Sequence, residues 1–166
     1  MNRYLNITTI LGGIWWSTIL FDWAVISDPH SSEVSLTLPG TEISQTLTLT
    51  PAIVLLVALI ARYKKIPKQV MFFAAVVGLA SSYAAFTLNA AASPAAIQGL
   101  EKLTGIAGVI GSQALTLAPM AYAFLAVVVS GSSVLAALAN PEAGTRASES
   151  VETDPDDPRA IWDSQS

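Results

Sequence analysis

The chain has 166 residues, 52% of them hydrophobic and only 12% charged, with a formal net charge of −4. Soluble domains carry about a quarter charged residues, so an ordinary water-soluble domain fits this composition poorly. The lack of cysteine excludes structural disulfides, thiolate metal sites and thiol catalysis. A single histidine, His30, leaves little from which to build a zinc site.

The charges are segregated. Between positions 70 and 100 there are none. From Asn140 onward lie seven of the twelve acids but only two of the eight basic residues, so this tail carries −5 and the body +1. The composition changes at Asn140-Pro141, which divides a membrane domain (1–139) from an acidic tail (140–166). The tail is rich in Pro, Ser, Thr and acids and cannot bury enough apolar surface to fold alone. It reads as disordered, and its charge argues against a nucleic-acid partner. Within it Ile161 and Trp162 stand isolated in DPRAIWDSQS, a short docking motif or a tolerated exposure.

The first apolar block, 5–26, has about the ~20 residues that cross a hydrocarbon core. Its outer end runs through DWAVISDPH and offers no small-residue cleavage site, so it reads as an uncleaved first helix and not as a secretory signal. Trp15 and Trp16 fall mid-helix, as packing residues or as a stacking platform for a ligand. Trp23 near the outer end reads as an interfacial anchor. Asp22 has two readings. A carboxylate inside a span is a functional-site candidate, but this one lies close enough to the boundary to reach headgroups or water.

Residues 27–49 form the first outer region. VSLTL and the later TLTLT alternate apolar and polar residues around Pro39-Gly40, a type II turn signal. A small extracytoplasmic β-hairpin is expected here, leaning on the helix ends because a lone hairpin is marginal. Asp28, Glu33 and Glu42 lack metal-loop spacing and read as solvated.

The second span covers 47–63, with Pro51 expected in its first turn, where a missing N–H is tolerated. Arg62, Lys64, Lys65 and Lys68 then form a basic turn broken by Pro67. The third span, 68–88, carries Gly78, Ala80, Ser81, Ser82, Ala84 and Ala85, a small-residue surface suited to close helix packing. In the second outer region, SPAAIQGLEKL suggests a short amphipathic helix with Ile97, Leu100 and Leu103 on one side. Gly105, Gly108 and Gly111 come next, at every third residue. Neither a dinucleotide fingerprint nor a P-loop fits them, and they suggest close backbone approach or a re-entrant bend. The fourth span covers 113–138, with Pro119 kinking it or marking where it truly begins.

The expected architecture is therefore an all-α four-helix transmembrane bundle with a small β-hairpin between helices 1 and 2. With four spans, every Lys and Arg except Lys102 falls on one side. The positive-inside rule then gives a multi-pass plasma-membrane protein with both termini cytoplasmic.

Several local patterns resemble a known family. FDWAVIS at the end of helix 1, LTLPGTEISQTLTLTPAIVLLVALIAR leading into helix 2, and DPRAIWD in the tail resemble the small conserved membrane proteins associated with tryptophan-biosynthesis operons, mostly of actinobacteria. Where this chain has Phe21-Asp22-Trp23, that family has an Arg-Thr-Trp type sequence. The resemblance implies an integral membrane protein linked to tryptophan metabolism by gene neighbourhood, with no catalytic residues to carry over.

No Ser/His/Asp set, metal cluster or close carboxylate pair is present in the membrane domain. The leading expectation is a non-enzymatic scaffold or accessory subunit without a cofactor, set in the lipid bilayer and bound to another membrane protein or to its own copies. The alternative is a small oligomeric transporter or binding protein for an aromatic metabolite. Asp22, Trp15, Trp16, Trp23 and Trp162 are the candidate ligand or partner contacts.

Overall fold

The structure is a computed structural model that describes residues 3–139 except 32 and 65. Trp162 and Lys65 lie outside the described residues, as does the whole acidic tail. The fold is mostly helical. Four helices, α1 (Arg3–Ser17), α3 (Gln45–Tyr63), α4 (Lys68–Phe86) and α6 (Ala118–Leu138), pack side by side; α6 lies on α4 and α1, and α3 closes the ring against α1 and α4. A cap covers one end. It contains strands β1 (Asp22–Ser27), β2 (Ser35–Pro39) and β3 (Ser112–Leu115), the single-turn helix α2 (Gly40–Ile43) and helix α5 (Pro94–Thr104).

Three helices, α3, α4 and α6, are long and apolar enough to cross a membrane. Their sorting of side chains explains why they associate. The buried face of α4 is Met71, Ala74, Ala75, Gly78, Ser81, Ser82 and Ala85, whereas Phe73, Val76, Leu79, Tyr83 and Phe86 point outward. On α6 the buried set is again mainly Ala and Ser, with Phe124, Val127 and Leu135 exposed. Small residues inside and bulky apolar ones outside is the arrangement of helices that meet through close backbone approach and present their large side chains to lipid. Contact is closest at Gly78, where an added Cβ would overlap Ser130 Oγ. Buried hydroxyls are absorbed locally: Ser130 and Ser133 donate to carbonyls one turn back, and Ser82 donates across to the Ala123 carbonyl at 3.0 Å.

The first span differs from its expected 5–26. Helix α1 stops at Ser17, a 3₁₀ turn (Thr18–Leu20) succeeds it, and the chain then becomes strand β1. The apolar run DWAVIS is equally suited to a buried strand, and pairing decides it. β1 is the centre of a three-stranded antiparallel sheet in the order β2-β1-β3. The expected hairpin between VSLTL and TLTLT is therefore replaced. VSLTL does supply β2, but its partner is β1, and TLTLT is the first part of α3. Ser44 selects helix there: its side chain accepts from the Leu47 N–H at 3.3 Å, satisfying one of the free donors of the first turn.

A register shift in the β1–β2 ladder between Asp22 and Ala24 leaves Trp23 unpaired and sends both Trp23 and Ala24 inward, each fully buried. Gly40 does not adopt the positive φ of a type II turn. It opens α2, and its lack of a side chain is needed for another reason: a Cβ would fall 2.5 Å from Trp23 Cε2.

The short amphipathic helix is present as α5. Ser93 caps it, Pro94 takes the first helical position and Gly105 ends it at φ 72°. Ala96 and Leu100 face the core, whereas Leu103 is exposed. Of the three spaced glycines, Gly111 shows the close approach, since a Cβ would lie 2.6 Å from the Ser27 carbonyl oxygen. The last span begins later than 113. Residues 112–115 are strand β3, and Pro119 sits in the first turn of α6 without interrupting it.

Candidate functional site

Tyr122, near the start of α6, contacts side chains or backbone of four other elements. Its ring lies 5.3 Å from that of Trp15 and 5.0 Å from that of Trp23, the latter edge-on. Such tilted and edge-to-face pairs are the favoured aromatic geometries. All three rings are fully buried. The Tyr122 hydroxyl donates to the Leu47 carbonyl at 2.9 Å, so the Ser81 hydroxyl, 3.0 Å away, donates to it. Tyr122 thereby links α1, β1, α3 and α4.

The bond to Leu47 has a sequence cause. Pro51 lies inside α3, at its seventh residue and not in its first turn as expected, and it has no N–H for the carbonyl four residues earlier. That carbonyl is Leu47's. Tyr122 supplies the missing donor. Trp23 is held similarly, its Nε1 donating to the Thr18 carbonyl at 2.9 Å. It is thus a core residue of the cap and not an interfacial anchor. Trp15 Nε1 is buried without a hydrogen-bond partner.

The other candidate contacts do not gather here. Trp16, one residue on from Trp15, is 46% exposed on the outer side of α1. Asp22 is exposed at the start of β1, and it is its backbone carbonyl that is engaged, accepting from Thr116 Oγ1 at 2.6 Å. Trp15, Trp16 and Asp22 therefore occupy three separate environments. Arg62 and Lys64 at the end of α3 and Lys68 at the start of α4 lie with Arg3 at the end opposite the cap. Lys68 opposes the α4 dipole, so local helix electrostatics does not explain its position.

One opening adjoins the central cluster and another lies on the cap. Leu47 and Ser81, the partners of the Tyr122 hydroxyl, line a cleft of about 310 Å³ between α3 and α4 with Thr46, Thr50, Ala80 and Ala84. On the cap, β2 and α2 face α5 across a groove of about 390 Å³ that includes Leu36, Leu38, Glu42, Gln98 and Lys102. Among the described residues no group of three or more His, Cys, Asp or Glu is placed to hold a metal ion.

Sequence reasoning passed over Tyr122, read Glu42 as solvated and used Lys102 only for topology. The available signals were a lone tyrosine inside an apolar span and a proline too deep in a helix to be harmless. No family model, curated protein or solved structure matches this chain.

Proposed function

We propose that this is a non-enzymatic, multi-pass plasma-membrane protein that acts as a scaffold or accessory subunit, binding a membrane partner through its cap. Both termini lie in the cytoplasm on this reading, and α1 is the fourth span. Helix α1 rises about 22 Å and the 3₁₀ turn adds about 6 Å, close to the ~30 Å of a bilayer core. The cations Arg3, Arg62, Lys64 and Lys68 cluster at one end of the bundle, and the helices carry no charge from there to the cap. By the positive-inside rule the cap is outside.

The observation that carries the partner reading is the free edge of the sheet. All four residues of β3 are exposed and none is charged. The Thr116 N–H donates to the Trp23 carbonyl at 3.0 Å, and the alternation of an antiparallel ladder then turns the backbone groups of Gln113 and Leu115 away from β1. Exposed Ile110, Leu115 and Leu117 surround this edge. Proteins blunt such an edge with a short strand, charge, proline or a covering element; β3 is short, at four residues, but has neither charge nor proline, and such an edge is suited to accepting a strand from a partner. The resemblance to the tryptophan-operon-associated family adds a link to tryptophan metabolism as the setting.

Affinity purification from mild detergent, comparing the native chain with Leu115→Lys, tests this reading. A partner recovered with the native chain and reduced by about tenfold or more with the variant supports it. Recovery of the native chain alone across several detergents, or equal recovery of partner with the variant, counts against it. The transporter alternative receives no support from Trp15, Trp16 and Asp22, which share no cavity.

A further inference from the structure

We infer that the groove between β2–α2 and α5 is a binding site for a free α-amino acid with an apolar side chain. This goes beyond the partner reading and uses the opposite edge of the sheet from β3. Leu36 and Leu38 of β2 and Ala95 and Gly99 of α5 form an apolar floor. Glu42 stands on the α2 wall, and Lys102 and Gln98 stand on the α5 wall.

The walls are fixed. Ala96 and Leu100 anchor α5 in the core with no exposure, and α5 sits so close to β2 that a Cβ on Gly99 would overlap Leu36 Cδ2. Leu38 of β2 is buried. The side chains that border the opening, Glu42, Gln98, Lys102 and Leu103, are exposed and free to close on a ligand.

Charge selects the ligand. Lys102 is the one cation among the described cap residues, against Asp22, Asp28, Glu33, Glu42 and Glu101. It faces this groove, and so does one of those five carboxylates. A neutral apolar molecule would leave both charges unused, and an anion or a cation would meet one of them with the wrong sign. A zwitterion satisfies both, its ammonium on Glu42 and its carboxylate on Lys102 and the Gln98 amide. Its side chain then covers Leu36 and Leu103. A volume of about 390 Å³ lies within the range of small-molecule sites.

The test is calorimetric titration of the full chain in lipid nanodiscs with L-leucine, N-acetyl-leucine and leucinamide. Saturable leucine binding is expected, with each blocked analogue weaker by about tenfold or more. Glu42→Gln should weaken leucine while removing the preference over N-acetyl-leucine. Lys102→Gln should do the same for leucinamide. Both side chains are exposed, so these variants keep the fold, and thermal unfolding checks this. No saturable leucine binding up to ~10 mM, or affinities unchanged within about twofold in both variants, would overturn the inference.

Discussion

The Tyr122 hydroxyl donates to the one α3 carbonyl that Pro51 leaves without its helical N–H, that of Leu47. A local defect in one helix is thus repaired by a side chain from another. The repair ties α6 to α3 at the level where the cap begins.

This pairing makes Tyr122→Phe destabilising by about 1–3 kcal/mol, since it leaves a buried carbonyl unsatisfied. In a Pro51→Ala background the helix regains its own donor for Leu47. The loss caused by Tyr122→Phe should then shrink by about 1 kcal/mol or more, a coupling that a double-mutant cycle measures. Unfolding titrations in detergent or bicelles supply the values. Strict additivity of the two substitutions would show that the carbonyl is satisfied some other way.

Adjacent tryptophans should behave very differently. Trp15→Ala removes a fully buried ring that packs on Tyr122 and should cost about 3–5 kcal/mol. Trp16→Ala alters a ring 46% exposed on the outer face and should stay within about 0.5 kcal/mol. Thermal unfolding of the two variants side by side checks the assignment.

Gly78→Ala drives a methyl group into Ser130 Oγ and should destabilise the α4–α6 contact by about 1–3 kcal/mol. Ser130→Ala removes that oxygen, and the new methyl group would then lie 3.6 Å from the Cβ that remains, ordinary contact. The double variant should recover most of the loss. Failure to recover would mean that α4 and α6 do not meet at this pair.

Gly40→Ala tests the cap separately from the bundle. Its Cβ would fall 2.5 Å from Trp23 Cε2, and the indole would have to leave its position between Tyr122 and the Thr18 carbonyl. A shift in tryptophan emission, with stability lowered by about 1–3 kcal/mol, is expected. An unchanged spectrum would remove Trp23 from the core of the cap.

The three helices long enough to cross a membrane were legible because length and apolar continuity decide them, and tertiary pairing does not. The amphipathic helix α5 was legible through Ser93, Pro94 and Gly105, which act locally. The first span ends earlier than expected because DWAVIS is apolar in either state, and only its pairing with SLTLP, a short loop away, and with SQAL, far along the chain, makes it a strand. TLTLT alternates like a strand, yet the Ser44 cap and the long apolar run beyond it outweigh that pattern. The central site was legible only in part: Trp15 and Trp23 stand out in the sequence, whereas the residue that joins them, Tyr122, does not. A tyrosine in an apolar span acquires meaning only when Pro51, seventy-one residues earlier, leaves a carbonyl beside it.

Topology is the claim on which the partner and ligand readings both depend. The native chain contains no cysteine, so single cysteines can be labelled without background. Thr37→Cys on the cap, Lys64→Cys at the basic end and Ser166→Cys at the last residue, treated with a membrane-impermeant maleimide on intact cells, give the most direct measurement. Thr37→Cys should label at once, and the other two should label only after the membrane is opened. Labelling of Lys64→Cys from outside with Thr37→Cys protected would contradict the orientation, and with it the exposure of the cap to any external partner or amino acid.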